Sequence, residues 1–189
     1  MHIANFDMLD LSKNFFELFA LPVSYEIDNN ALRERYRELQ RSVHPDRYAN
    51  ASAQEQRLAM QGSTFINEAF ETLKDPLGRA QYMLRLLGVD VDADKETTKD
   101  TAFLMEQLEL REALSEIRQQ ADPLGAIADF VDTVSGKLNR VIHEMAADFE
   151  SPSADKLDAI RENVRKMQFL RKLHQEAESV EAELEEELL

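Results

Sequence analysis

ALRERYRELQRSVHPDRY, residues 31–48, decides how the rest of this chain is read. Leu32, Tyr36, Leu39 and Val43 recur at steps of four, three and four, which puts them on one face of an α-helix. Asp28 stands just before the run as an N-cap, able to accept from free N–H groups of the first turn. Pro45 stops the helix, because the residue before a proline is driven out of the helical region. Arg33, Arg37 and Arg41 follow one another at four-residue intervals. At about 100° per residue they form a stripe beside the apolar seam, not within it. Glu34 and Glu38 share the helix, so on charge alone this stripe also reads as an ordinary solvated face.

On the far side of the stop, Ser52 and Glu55 have the spacing of a capping box. They open a helix whose seam is Leu58, Phe65, Ile66, Ala69, Phe70 and Leu73. Two amphipathic helices joined by a short loop bury their facing seams by lying antiparallel. His44-Pro45-Asp46 is therefore expected at the tip of a helical hairpin. Taken alone, the tripeptide reads as a helix end: His at the negative end of the dipole, Pro as stop, Asp as turn former. A short buried helix over residues 14–21, NFFELFAL, precedes the hairpin and ends at Pro22. Asp75-Pro76 caps a fourth helix through GRAQYMLRLL, which Gly88 terminates.

Residues 89–100, VDVDADKETTKD, are polar and carry no helical period; the linker is placed over 89–98. Three long helical patterns follow. The first covers 101–121. The second starts at Asp122-Pro123 and carries Ile127, Phe130, Val131, Val134, Leu138, Val141, Ile142 and Met145. The third follows Pro152 and runs from Leu157 through Ile160, Val164 and Met167 to Leu184, ending in a tail with seven Glu between Glu176 and Glu187. Steps of three and four are the seam of an antiparallel bundle. The expected fold is all-α: an N-terminal extension (1–12), a helical hairpin with short flanking helices (13–88), the linker, and a three-helix bundle (99–189).

Composition narrows the function classes. There are 189 residues with five Gly, five Pro and no Cys, so disulfides, thiolate metal sites and cysteine nucleophiles are excluded. His2, His44, His143 and His174 are scattered and make no ligand-spaced pair, so no metal or other cofactor is expected. The net charge of −15 is uneven. Residues 1–88 hold 10 Lys and Arg against 12 Asp and Glu, and residues 89–189 hold 12 against 25. That acidity argues against nucleic acid or an anionic membrane as the main partner. The N-terminus has no basic segment followed by an apolar core, and no apolar run approaches a membrane span of about 20 residues. A cytoplasmic location is the expectation.

Three stretches resemble the J-domain family: FFELFALP, YRELQRSVHPDRY and FINEAFETLKDPLGRAQY, within residues 13–88. The resemblance implies that His44, Pro45 and Asp46 contact a DnaK-type chaperone and trigger ATP hydrolysis there. It also implies that Arg33, Arg37, Arg41 and Arg47 dock on the partner's nucleotide-binding domain. Arg47 stands where the family usually has Lys, with the charge kept. The partner then supplies the catalytic groups, and none is expected in this chain.

No Gly/Phe-rich stretch or cysteine zinc module follows the first unit, which points to a specialised co-chaperone with a dedicated client. DTAFLMEQLELRE and VRKMQFLRKL resemble the HscB family, J-type co-chaperones of iron–sulfur cluster assembly, and the likeness spans almost the whole chain. Eukaryotic relatives often carry an N-terminal cysteine zinc motif, so its absence points to the bacterial type. The resemblance implies two partners: the scaffold protein IscU, held by the bundle, and the specialised chaperone HscA.

The residues of the 101–121 helix speak to such a face independently. Phe103, Leu110, Leu114 and Ile117 cluster on one side and suffice for a core stripe. Leu104, Met105 and Leu108 project about 100–200° away, edged by Glu109 and Glu112. Such a surplus face is covered by another helix or by a partner, and a Met within it suits an adaptable contact. Phe169 lies off the Leu157/Ile160/Val164/Met167 seam, although the stripe drifts after Met167 and the residue also reads as core. The resemblance places Leu104, Met105, Leu108, Glu109, Glu112 and Phe169 in the scaffold site. The competing readings are a J-domain co-chaperone for a different client, an enzyme using His44 and Asp46 as an acid–base pair, and a coiled-coil scaffold built on residues 150–189. The enzyme reading lacks a water-excluding pocket at a hairpin tip, and the scaffold reading leaves the first unit without a role.

Overall fold

The computed structural model describes residues 10, 12–89, 98 and 100–187, and every regular element among them is helical. The extension over 1–12 and the linker over 89–98 lie almost wholly outside the described residues. The chain divides into two compact units that part between Met83 and Leu84.

The first unit holds α1 (Phe15–Leu18), α2 (Asn29–Ser42), a 3-10 turn (Pro45–Tyr48), α3 (Ala53–Lys74) and most of α4 (Pro76–Leu86). The caps are where local chemistry puts them. Asp28 accepts from the N–H groups of Asn30 and Ala31, Ser52 and Glu55 form the capping box, and Asp75 accepts from Gly78 N–H. At the far end of α4, Gly88 takes φ +75°, and Val89 N–H reaches Leu84 C=O at 2.9 Å while Gly88 N–H reaches Arg85 C=O at 3.0 Å. That is a Schellman closure, which needs a residue tolerant of positive φ.

The first helix is shorter than its sequence promised. It ends at Leu18, not at Pro22, because Ala20 takes φ +53° and Leu21 N–H closes back on Phe16 C=O at 2.9 Å. A Schellman reversal on an alanine carries no sequence signal, which is why the proline looked like the stop. The helix also has a capping box between Asn14 and Glu17.

α2 and α3 run antiparallel, with partners descending on α3 as they ascend on α2. The Tyr36 ring stacks on Phe70 with centroids 4.1 Å apart, and Tyr36 Oη donates to Asn67 Oδ1 at 2.9 Å. One turn later Ser63 Oγ donates to Gln40 Oε1 at 3.2 Å. Leu32, Ile66, Ala69, Leu73, Phe16 and Phe19 fill the space between the elements. Arg79 is buried in this unit; its guanidinium donates to Tyr25 C=O at 2.6 Å and lies 5.3 Å from the centre of the Tyr25 ring. It ties the segment before α2 to α4. Arg79→Ala is expected to lower stability by about 1–3 kcal/mol, since it strips a donor from a buried carbonyl and leaves a void under the ring. A denaturant midpoint equal to wild type would show the tie to be dispensable.

The second unit holds α5 (Thr101–Glu116), a 3-10 turn (Ile117–Gln119), α6 (Pro123–Glu150) and α7 (Ala154–Glu187). α6 and α7 pack along most of their length and α5 rests mainly on α7. The pattern read as one helix over 101–121 ends at Glu116 and tightens into the 3-10 turn before Asp122 caps α6. Asp100 caps α5 by accepting from Phe103 N–H, and Lys166 Nζ of α7 lies 3.0 Å from its carboxylate. The Lys166 hydrogen bond holds that carboxyl below the usual range. The acidic tail is partly used: Arg118 pairs with Glu183 and, at 2.9 Å, with Glu187.

Candidate functional site

The hairpin tip is built from the residues around the proline. α2 closes with Val43 as its C-cap, and His44 then becomes the N-cap of the 3-10 turn, its Nδ1 accepting from Asp46 N–H at 3.3 Å. Asp46 Oδ2 sits 3.5 Å from the same Nδ1, and the Asp46 side chain is 91% exposed against 58% for His44. Two polar side chains thus stand out from a turn whose φ the proline presets.

The turn is held by side chains from both flanks. Tyr48 Oη donates to Ser42 C=O at 2.9 Å and Arg47 Nη1 donates to Arg41 C=O at 3.3 Å, so the turn caps the open carbonyls of α2. From α3, the Gln56 amide lies within donating distance of Tyr48, Ala49 and Ala51 C=O, at 3.1, 3.4 and 3.3 Å. Sequence reading missed Tyr48 and Gln56. A proline-containing loop hints that something must satisfy its carbonyls, but nothing local says which side chain does. Gln56→Ala is expected to raise amide exchange across residues 46–51 about tenfold, the loss of roughly one hydrogen bond's net worth. Exchange unchanged at those amides would mean that the Tyr48 and Arg47 contacts hold the turn without Gln56.

Arg33, Arg37 and Arg41 are all exposed on α2, and among the described residues none forms an ion pair. Arg35, off the stripe, is the one α2 arginine engaged, with Glu38 at 2.9 Å. The stripe therefore reaches the tip with its charge intact, and Arg47 adds a fourth exposed guanidinium there.

The second candidate surface is on α5. Phe103, Leu110 and Ile117 are buried as expected, with Leu114 half-buried. Leu104, Met105 and Leu108 are 36%, 55% and 62% exposed, and Glu109 and Glu112 are exposed beside them. Phe169 of α7 is half-buried, its ring edge-on to Phe103 at 5.7 Å, with the Arg111 guanidinium 5.5 Å above its centre. Phe169 thus belongs to the α5–α7 contact, half-buried between Phe103 and Arg111 of α5. Arg111 was not singled out from the sequence, although it shares the helical face of Leu104 and Leu108 at steps of four and three.

Among the described residues no His, Asp or Glu cluster could hold a metal ion, and no helix is long and apolar enough to cross a membrane.

Known proteins match both units. The DnaJ domain family matches residues 15–82, and the family described as the HSCB C-terminal oligomerisation domain matches residues 99–178. The chain is 45% identical over 168 residues to a co-chaperone protein HscB homolog of Shewanella amazonensis, covering 89% of this chain and 97% of that one. Among solved structures, the chaperone HscB from Vibrio cholerae aligns with a TM-score of 0.80 at 38% identity, over 91% of this chain and 99% of that one. The human co-chaperone protein HscB aligns with a TM-score of 0.81 at 28% identity, over 89% and 82%.

Proposed function

Since this chain belongs to the HscB family of J-domain co-chaperones, whose role implies an Hsp70-type (DnaK-type) chaperone as partner, we propose that it stimulates the ATPase of HscA and delivers the scaffold protein IscU to it. In this reading residues 13–88 are the J-domain, 89–98 a linker and 99–189 the client-binding bundle, and the protein works in the cytoplasm. His44, Pro45 and Asp46 engage the chaperone while Arg33, Arg37, Arg41 and Arg47 meet an acidic surface on it. Leu104, Met105 and Leu108, edged by Glu109 and Glu112 and with Phe169 alongside, hold the scaffold.

One observation carries the reading: each unit presents a feature that its own fold leaves unused. In the first it is an exposed tripeptide beside an arginine stripe with no ion pair among the described residues; in the second, three large apolar side chains left in water. Exposed apolar clusters of this kind mark interaction sites. Linking two modest sites on one chain raises the client's concentration at the chaperone, so specificity needs tight binding at neither. The chain's part in the reaction is to bind and orient. ATP hydrolysis occurs on the partner's own groups.

The test is a steady-state ATPase assay of purified HscA with this protein, with IscU, and with both. Stimulation by the protein alone, and a further rise with both beyond the sum of the two, is expected. Stimulation alone with no added effect of IscU would favour a different dedicated client.

A further inference from the structure

The chain holds seven Met and no Cys or Trp, so its thioethers are its only sulfur and the side chains a two-electron oxidant converts most readily. The described methionines fall into two groups. Met83, Met145 and Met167 are core residues, 6%, 0% and 2% exposed. Met60 on α3 and Met105 on α5 stand in water, at 72% and 55%. Met105 is the one described thioether inside the apolar patch of α5, between Leu104 and Leu108, which no mild oxidant alters. Glu109 and Glu112 follow it by four and seven residues, so they share its helical face.

We propose that Met105 is a site of reversible oxidation, at which hydrogen peroxide converts the thioether to the sulfoxide and so weakens the hold on the scaffold client. The proposal rests on the α5 patch being the scaffold site. In the step, the Met105 sulfur attacks one peroxide oxygen, and an S–O bond forms as the O–O bond breaks. The departing hydroxide takes the proton from the oxygen left on sulfur and leaves as water. Sulfur is oxidised by two electrons and the peroxide is reduced by two. The product is a polar, chiral side chain where a flexible apolar one stood. Its S=O oxygen needs a hydrogen-bond donor once a partner covers the patch. Leu104 and Leu108 offer none, and the carboxylates of Glu109 and Glu112 can only accept. Docking would therefore strip water from a polar group and return nothing for it. The fold is spared, because the oxidised side chain already lies in water while the core methionines are covered. The sulfoxide is also repairable, since methionine sulfoxide reductases return it to the thioether, one enzyme for each epimer.

The test treats the intact protein with hydrogen peroxide and removes the oxidant before purified IscU is added. Peptide mass spectrometry is expected to find Met60 and Met105 oxidised ahead of Met83, Met145 and Met167. Calorimetric titration is expected to show IscU affinity reduced roughly tenfold, with an unchanged thermal melt, and restored by the two reductases. Met105→Leu keeps an apolar side chain of similar volume, so it is expected to bind within about threefold of wild type. Peroxide should then leave the affinity of that variant where it was, although Met60 is still oxidised. Full affinity in protein whose Met105 is shown to be sulfoxide would overturn the proposal, as would an equal loss in Met105→Leu. The triple substitution of Leu104, Met105 and Leu108 by Ala separates this failure from that of the patch. If the triple variant binds IscU normally, the scaffold site falls and the proposal with it; if it binds weakly, the scaffold site stands whatever peroxide does.

Discussion

Asp46→Asn is expected to abolish stimulation of the chaperone ATPase while leaving the fold and scaffold binding as they were. The substitution is nearly isosteric, and the Asp46 side chain is 91% exposed, so the folded protein loses almost no packing. The contacts that hold the turn survive too. They run through Asp46 N–H to His44 Nδ1, Tyr48 Oη to Ser42 C=O, and the Gln56 amide to three carbonyls, none of which uses the carboxylate. Only the negative charge and its acceptor capacity are lost. If that charge meets a cation in a desolvated interface, removing it costs about 2–5 kcal/mol. At about 1.4 kcal/mol per tenfold, the apparent affinity falls roughly 30-fold or more. Stimulated ATPase turnover against co-chaperone concentration is the measurement, with thermal unfolding as the control. Retained stimulation would sink the tripeptide assignment.

The triple substitution of Leu104, Met105 and Leu108 by Ala should weaken scaffold binding by about 100-fold with little loss of stability. Three clustered apolar anchors at about 1–2 kcal/mol each, summing less than additively, give that order of effect. Stability separates a binding face from a core. These side chains are 36%, 55% and 62% exposed, and surface substitutions usually stay within about 0.5 kcal/mol. Had they been core, each truncation would cost about 2–5 kcal/mol and the bundle would melt outright. Calorimetric titration with IscU, beside a thermal melt, reads both quantities. A collapse in melting temperature would show that the patch supports the fold.

What the residues of this chain specify locally follows the range of the forces involved. Asp28, Ser52 with Glu55, Asp75 and Asp122 all cap the helices they precede, because a cap acts over three residues. The seam residues predicted for α2, α3, α6 and α7 are all buried or half-buried, because a 3.6-residue period leaves a helix only one way to turn. The errors fell at helix ends. α1 stopped at Ala20's reversal, and the pattern over 101–121 tightened after Glu116, since local apolar spacing does not register a left-handed residue or a switch to 3-10 bonding.

The sites divide along the same line. An HPD turn between two facing seams and a surplus apolar face on α5 were legible, because both depend on spacing within one or two elements. The sequence by itself thus determined the all-helical class, the order of the helices and the display of the tripeptide at a hairpin tip. The tertiary structure alone decided that Arg33, Arg37 and Arg41 find no ion pair among the described residues, that Gln56 and Tyr48 lock the turn, that a hollow opens beside Asp46, and that Phe169 packs edge-on to Phe103. These features depend on where a carbonyl, a carboxylate or a ring from another element comes to rest. Only the packed chain sets that position.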